Sequence, residues 1–120
     1  MAKRGDKLYL KDISDSIRKI EKYTQNLNYN KFSNNLLIID AVVRNLEIIG
    51  EASKNLSKEI KILYPEIPWQ EMAGMRNKVI HEYFGVNLKI VWKTIKKRIP
   101  EVKPKIKEVL RKMNQERKNR

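Results

Sequence analysis

The sequence predicts an all-α protein, a bundle of about five antiparallel helices. Apolar residues recur at three- and four-residue spacing through nearly every segment, and no stretch shows the two-residue alternation of a strand. Gly and Pro are few, four of each in 120 residues, and both prolines of the 65–68 connection fall between periodic segments. Charged residues make up 34% and apolar residues 41%, a balance that suits a charge-rich helical domain rather than a disordered chain.

Residues 7–25 read as the first helix, with Leu10, Ile13, Ile17, Ile20 and either Tyr23 or Thr24 as its apolar line. Asn26-Leu-Asn-Tyr-Asn30 is the break, because asparagine favours turns and caps. A second helical region is expected from Phe32 to Tyr64, about 50 Å if unbroken, with Pro65 as its stop. Gly50 in its middle is a place for a kink or the close approach of another helix. Between Leu36 and Ser53 this region is apolar almost all round, apart from a stripe of Asp40, Arg44, Glu47, Glu51 and Lys54. Such a helix is normally central, and the stripe is either its one solvated face or the lining of a cleft.

A third helix is expected from Pro68 to Phe84, since proline suits a first turn and Gly85 follows. Asn87 caps a fourth, whose stripe is Leu88, Val91, Trp92, Ile95 and Ile99 and whose end is Pro100. A fifth spans Val102 to Met113, with Ile106, Val109 and Leu110 facing inward. Residues 1–120 form one domain in this reading, with 1–6 and 114–120 as frayed tails.

Composition narrows the chemistry. With no cysteine and a single histidine, neither a thiolate site nor an imidazole zinc cage can form, and no metal or other cofactor is expected. No apolar run approaches the roughly 20 residues of a membrane span, and no signal core follows Met1, so the chain is read as cytoplasmic. The net charge of +13 is uneven. Residues 1–88 hold 14 Lys/Arg against 11 Asp/Glu, whereas residues 89–120 hold 13 against 3. That basic third points to an anionic partner, most simply nucleic acid, unless it is only a solvated lysine-rich surface.

One stretch of the third helix carries the chemistry. With Arg76 at zero on the wheel, Trp69, Ala73 and Ile80 fall within about 60° on one side. Met72, Val79 and Tyr83 fall within about 60° on the other. Arg76 is thus in the middle of an apolar face, where an unpartnered guanidinium would cost several kcal/mol. It requires a carboxylate, a cleft or a second subunit. Glu47 and Glu51 are the carboxylates expected to hold it. His81 lies at the edge of the same face, one turn above Asn77. Arginine and histidine together suit phosphoryl chemistry on RNA. The imidazole moves a proton near neutrality, the guanidinium stabilises phosphate charge, and RNA supplies its own 2′-OH nucleophile. A structural ion pair beside an edge histidine is the plain alternative.

Arg76-x4-His81-x-Tyr83 resembles the Arg-x4-His-x-Tyr motif of HepT-like toxins in the HEPN superfamily. Around it, Arg44-Asn-Leu-Glu-Ile-Ile-Gly-Glu-Ala52, Trp69, Gly74-Met-Arg-Asn77, His81-Glu-Tyr83 and Val91-Trp92 follow that family's order. The similarity covers roughly residues 8–110. It implies a HEPN-type helical bundle, usually a homodimer with two motifs facing one cleft. The implied activity is metal-independent cleavage of RNA, in some members tRNA, by the toxin of a type VII toxin–antitoxin pair. The implied partner is a small MNT-type nucleotidyltransferase antitoxin that transfers AMP to the motif tyrosine, here Tyr83. Arg76 and His81 would then be catalytic, with Asn77, Glu47 and Glu51 in support. The alternative is a non-catalytic HEPN module that binds nucleotide or RNA, or a scaffold for its nucleotidyltransferase. A basic helical DNA-binding protein ranks last, since no helix-turn-helix spacing stands out.

Overall fold

The computed structural model describes residues 4–75 and 87–118, and among these every regular element is helical, as the periodicity predicts. The elements are α1 (Arg4–Thr24), α2 (Tyr29–Ser33), α3 (Leu36–Asn55), α4 (Lys58–Leu63), a helical segment at 69–75, α5 (Leu88–Lys93), a π-helical turn (Thr94–Arg98) and α6 (Ile99–Lys118).

α1 forms where its apolar line predicts, with Leu10, Ile13, Ile17 and Ile20 sealed from solvent. Thr24 rather than Tyr23 closes that line, and its hydroxyl donates to the Ile20 carbonyl at 2.8 Å. The helix begins at Arg4, earlier than the spacing alone suggests. Asn26 takes the one positive φ among the described non-glycine residues, 62°, a left-handed turn that asparagine tolerates. Asn28 then caps α2, accepting from the Lys31 amide at 2.8 Å.

The expected single helix from Phe32 to Tyr64 is three helices. Asn35 caps α3 through its side chain, accepting from the Ile38 amide at 3.1 Å, so the chain restarts rather than continues after Ser33. The second break has a distant cause. Asp6 of α1 accepts from the Ser57 amide at 2.8 Å and from the Ser57 hydroxyl, and Ser57 in turn caps α4. Leu56 has extended backbone and is buried at the corner. Because the start of α1 meets the end of α3, the two helices run antiparallel. Gly50 is buried in an unbroken stretch of α3, so no helix end falls there.

Pro100 was expected to end a helix, yet α5, the π turn and α6 form one continuous helical run. The Ile99 amide reaches back five residues to the Thr94 carbonyl. This wider turn makes room for the ring of Pro100, which offers no amide of its own. Pro104 is likewise carried inside α6, and α6 extends to Lys118, past the expected end at Met113. Val91, Ile95, Ile99, Val102, Ile106 and Val109 bury the inner side of this run. None of the described helices is long and apolar enough to cross a membrane.

Trp69 and Met72 flank Arg76 on the apolar face read from the wheel. They are core residues of the single chain, 6% and 1% exposed. Among the described residues, large apolar side chains left uncovered lie elsewhere: Leu36 and Leu37 at the start of α3, Ile62 and Leu63 at the end of α4, and Leu8 on α1.

Candidate active site

The spacing of four, three, four and three that set Asp40, Arg44, Glu47, Glu51 and Lys54 in a stripe does place them along one face of α3. Four of the five are exposed and Glu47 is half-buried. Both readings of the stripe hold together, because part of this wet face also lines a groove. α1 crosses beside it and contributes Tyr9 and Asp12, which close a groove of about 340 Å³ with Arg44, Glu47, Glu51 and Asn55. Among its described lining residues, three carboxylates stand against one guanidinium, which makes this part of the lining acidic, a place that favours a cation. Glu47 and Glu51, the pair singled out to hold an arginine, are thus brought together in one groove. Tyr9 and Asp12 escaped the sequence reading. The signal was their three-residue spacing beside the Leu10–Ile13 core line, and it resembles any solvated face of α1.

The segment ahead of the motif is fixed by its own packing. The Met72 amide bonds to the Pro68 carbonyl at 2.9 Å, which starts a helix at the proline as the sequence predicts. Trp69, Met72 and Met75 turn inward, and the Trp69 indole donates to the Tyr64 carbonyl at 2.8 Å. Outside, Glu71 accepts from Arg98 Nε at 2.7 Å, and Arg98 also reaches Glu101 at 3.1 Å. The hydrogen bond and charge of Glu71 raise the Arg98 pKa above its ordinary value, with Glu101 adding to both. Further along, Lys105 donates to the Glu66 carbonyl at 3.2 Å and Lys112 stands 5.5 Å from the Tyr64 ring centroid. Arg98 of the π turn and Lys105 and Lys112 of α6 are two helical turns apart in succession, so one edge of this continuous run clamps residues 64–71 in place. Arg76 follows Met75 directly.

Arg76, Asn77, His81 and Tyr83 lie outside the described residues, as does the remainder of the expected third helix. Gly74 is inside them. A Cβ built there meets none of the described residues within 4 Å, so packing against them does not require its bare backbone. Among the described residues no three His, Cys, Asp or Glu side chains converge as a metal-holding group.

Residues 13–109 match the family described as Ribonuclease HepT-like. A Thermococcus cleftensis protein named "Probable ribonuclease HepT" is 51% identical over 107 residues, covering 89% of this chain and 97% of that one. A Methanocaldococcus jannaschii protein, named as a candidate RNase, is 47% identical over 111 residues, 92% of each chain. Another candidate RNase, from Caldanaerobacter subterraneus, is 45% identical over 104 residues, 87% of this chain and 93% of its own. No solved structure gives a significant match.

Proposed function

The chain belongs to the HepT-like ribonuclease family of the HEPN superfamily, and on that premise we propose that it is a metal-independent endoribonuclease and the toxin of a type VII pair. The observation that carries this reading is Arg76-x4-His81-x-Tyr83, set inside a match that spans residues 13–109. Arg76 binds the scissile phosphate bidentately and stabilises the charge that develops on its oxygens. His81 takes the proton of the ribose 2′-OH as that oxygen attacks phosphorus. The bond from phosphorus to the 5′-oxygen breaks, and the leaving oxygen is protonated by the partner subunit's His81 in a two-fold dimer. The products are a 2′,3′-cyclic phosphate and a 5′-hydroxyl. Asn77, four residues before His81 in sequence, orients the imidazole.

The acidic groove supports the placement of Arg76, because Glu47 and Glu51 supply the counter-charge that a guanidinium on an apolar helix face requires. Pairing of two chains is supported by Leu36 and Leu37, 73% and 80% exposed at the start of α3. Control comes from an MNT-type nucleotidyltransferase antitoxin that places AMP on Tyr83. The adduct adds bulk and negative charge where RNA phosphate binds. The RNA, tRNA among the candidates, meets the chain in the cytoplasm.

The experiment is cleavage of total RNA in EDTA by the native chain, Arg76→Ala and His81→Ala, with intact mass after incubation with the antitoxin and ATP. Cleavage lost in both variants, and an AMP adduct lost in Tyr83→Phe, support the reading. An adduct without turnover of any RNA replaces the enzyme by a non-catalytic partner module.

A further inference from the structure

The basic third of the chain divides into two unequal halves. In α6 four of the cations are spent within the protein. Lys103 Nζ meets Glu21 at 2.6 Å, and Arg111 makes two hydrogen bonds to Glu108, at 3.0 and 2.6 Å. Lys105 and Lys112, together with Arg98 at the end of the π turn, brace residues 64–71.

The opposite end of the molecule is different. α2, α5 and the π turn together carry Lys31, Lys89, Lys93, Lys96, Lys97 and Arg98, and not one acidic residue. Of the acids on neighbouring elements, Glu71 and Glu101 are taken by Arg98, and Glu21 by Lys103. Asp40 is the one acid in the first half of α3, and it too is engaged in an interaction of its own. Lys31, Lys89, Lys93 and Lys97 are all exposed and form no ion pair with any described residue. Lys89, Lys93 and Lys97 follow one another at four-residue spacing, about 6 Å per step along the axis. Two half-buried aromatic rings flank them. Trp92 packs on Phe32 at 5.0 Å between centroids and edge-on to Tyr29 at 6.4 Å, and Lys96 Nζ stands 4.7 Å from its ring.

A row of uncompensated lysines beside half-open aromatic rings is the chemistry that holds a nucleic-acid strand without reading its sequence. We propose that Lys89, Lys93 and Lys97, with Lys31 and Lys96 beside them, form a phosphate-tracking exosite for RNA at the α2–α5 end of the molecule. The exosite rests on the ribonuclease reading for its choice of RNA over other polyanions. It makes Lys103, Lys105, Arg111 and Lys112 of α6 structural cations.

The test uses a fluorescein-labelled 2′-O-methyl oligonucleotide of mixed sequence, which lacks the 2′-OH nucleophile and cannot be cut, with cleavage of unmodified RNA assayed in parallel. The full-length chain is compared with Lys89→Gln/Lys93→Gln/Lys97→Gln and with a control, Lys103→Gln/Lys105→Gln/Arg111→Gln, circular dichroism verifying each fold. Three lost phosphate contacts lower the slope of log affinity against log salt by about 2. Between about 50 and 200 mM salt the native chain therefore loses about 20-fold more affinity than the first variant. The control keeps the native slope. In cleavage, the first variant raises KM and leaves kcat unchanged. An unchanged slope in the first variant, or an equal drop in the control, overturns the exosite. Absence of any RNA turnover by the native chain, with the slope difference intact, removes the ribonuclease reading and leaves the exosite standing.

Discussion

Asp6 in the first turn of α1 accepts two hydrogen bonds from Ser57, one from its amide and one from its hydroxyl, across 51 residues of sequence. The carboxylate is 2% exposed. Removing it leaves two donors in a half-buried corner and loosens the cap of α4. Asp6→Ala is expected to cost about 1.5–3 kcal/mol, the range for hydrogen bonds to a charged group. Ser57→Ala is expected to cost about 1–2 kcal/mol, as for loss of an N-cap. Urea midpoints of the two singles and the double provide the check, and a coupling near zero contradicts a direct tie.

Gly74 has none of the described residues within 4 Å of where a Cβ would go and is in helical backbone. Gly74→Ala is expected to stabilise the fold by about 0.5–1 kcal/mol, since alanine loses less entropy in a helix. If the glycine is there to let substrate approach beside Arg76, the same variant loses turnover while its melting temperature rises. Thermal melts and RNA cleavage rates on one preparation separate the two effects.

Glu108 on α6 accepts two hydrogen bonds from Arg111, and these hold its carboxyl below the ordinary glutamate value. A depressed folded pKa means the pair stabilises above the unfolded value, and the contribution disappears as pH falls through the folded one. Both groups are exposed, so the effect on stability is small. A pH titration of the Glu108 carboxyl carbon by NMR is expected to show a lowered midpoint that returns to the ordinary value in Arg111→Gln.

The helical class and most helix faces were legible because burial follows the 3.6-residue period. Leu10, Ile13, Ile17 and Ile20 are buried as read, and so are Val91, Ile95 and Ile99. What local pattern does not contain is a tertiary anchor. The break at Ser57 depends on Asp6, which no window around Ser57 includes. Pro100 was misread for a related reason. A proline ends an α-helix only when the backbone cannot widen, and the Thr94–Arg98 turn widens it. On the site side, the alternation of charges on α3 was enough to pick Glu47 and Glu51 for one face. Their groove also needed Tyr9 and Asp12, which come from a helix with an ordinary amphipathic pattern. The overall charge was a coarser guide, since it did not separate cations bonded within α6 from the free row at Lys89, Lys93 and Lys97.

Glu47 and Glu51 share the groove that is assigned the counter-charge for Arg76. Glu47→Gln/Glu51→Gln is expected to lower kcat more than it raises KM, as Arg76 is released from its position rather than removed. Steady-state kinetics on one RNA substrate make the check. An unchanged kcat means the two carboxylates serve only the solvated face of α3.

The central claim is that His81 moves the proton in RNA cleavage without a metal. The most direct measurement is the single-turnover rate of RNA cleavage in EDTA for the native chain and His81→Ala, at matched folding by circular dichroism. The account predicts cleavage by the native chain and a loss of about 10²–10⁴-fold in the variant, the usual weight of a general acid–base group. Equal rates in the two proteins, or native cleavage that vanishes in EDTA, would contradict it.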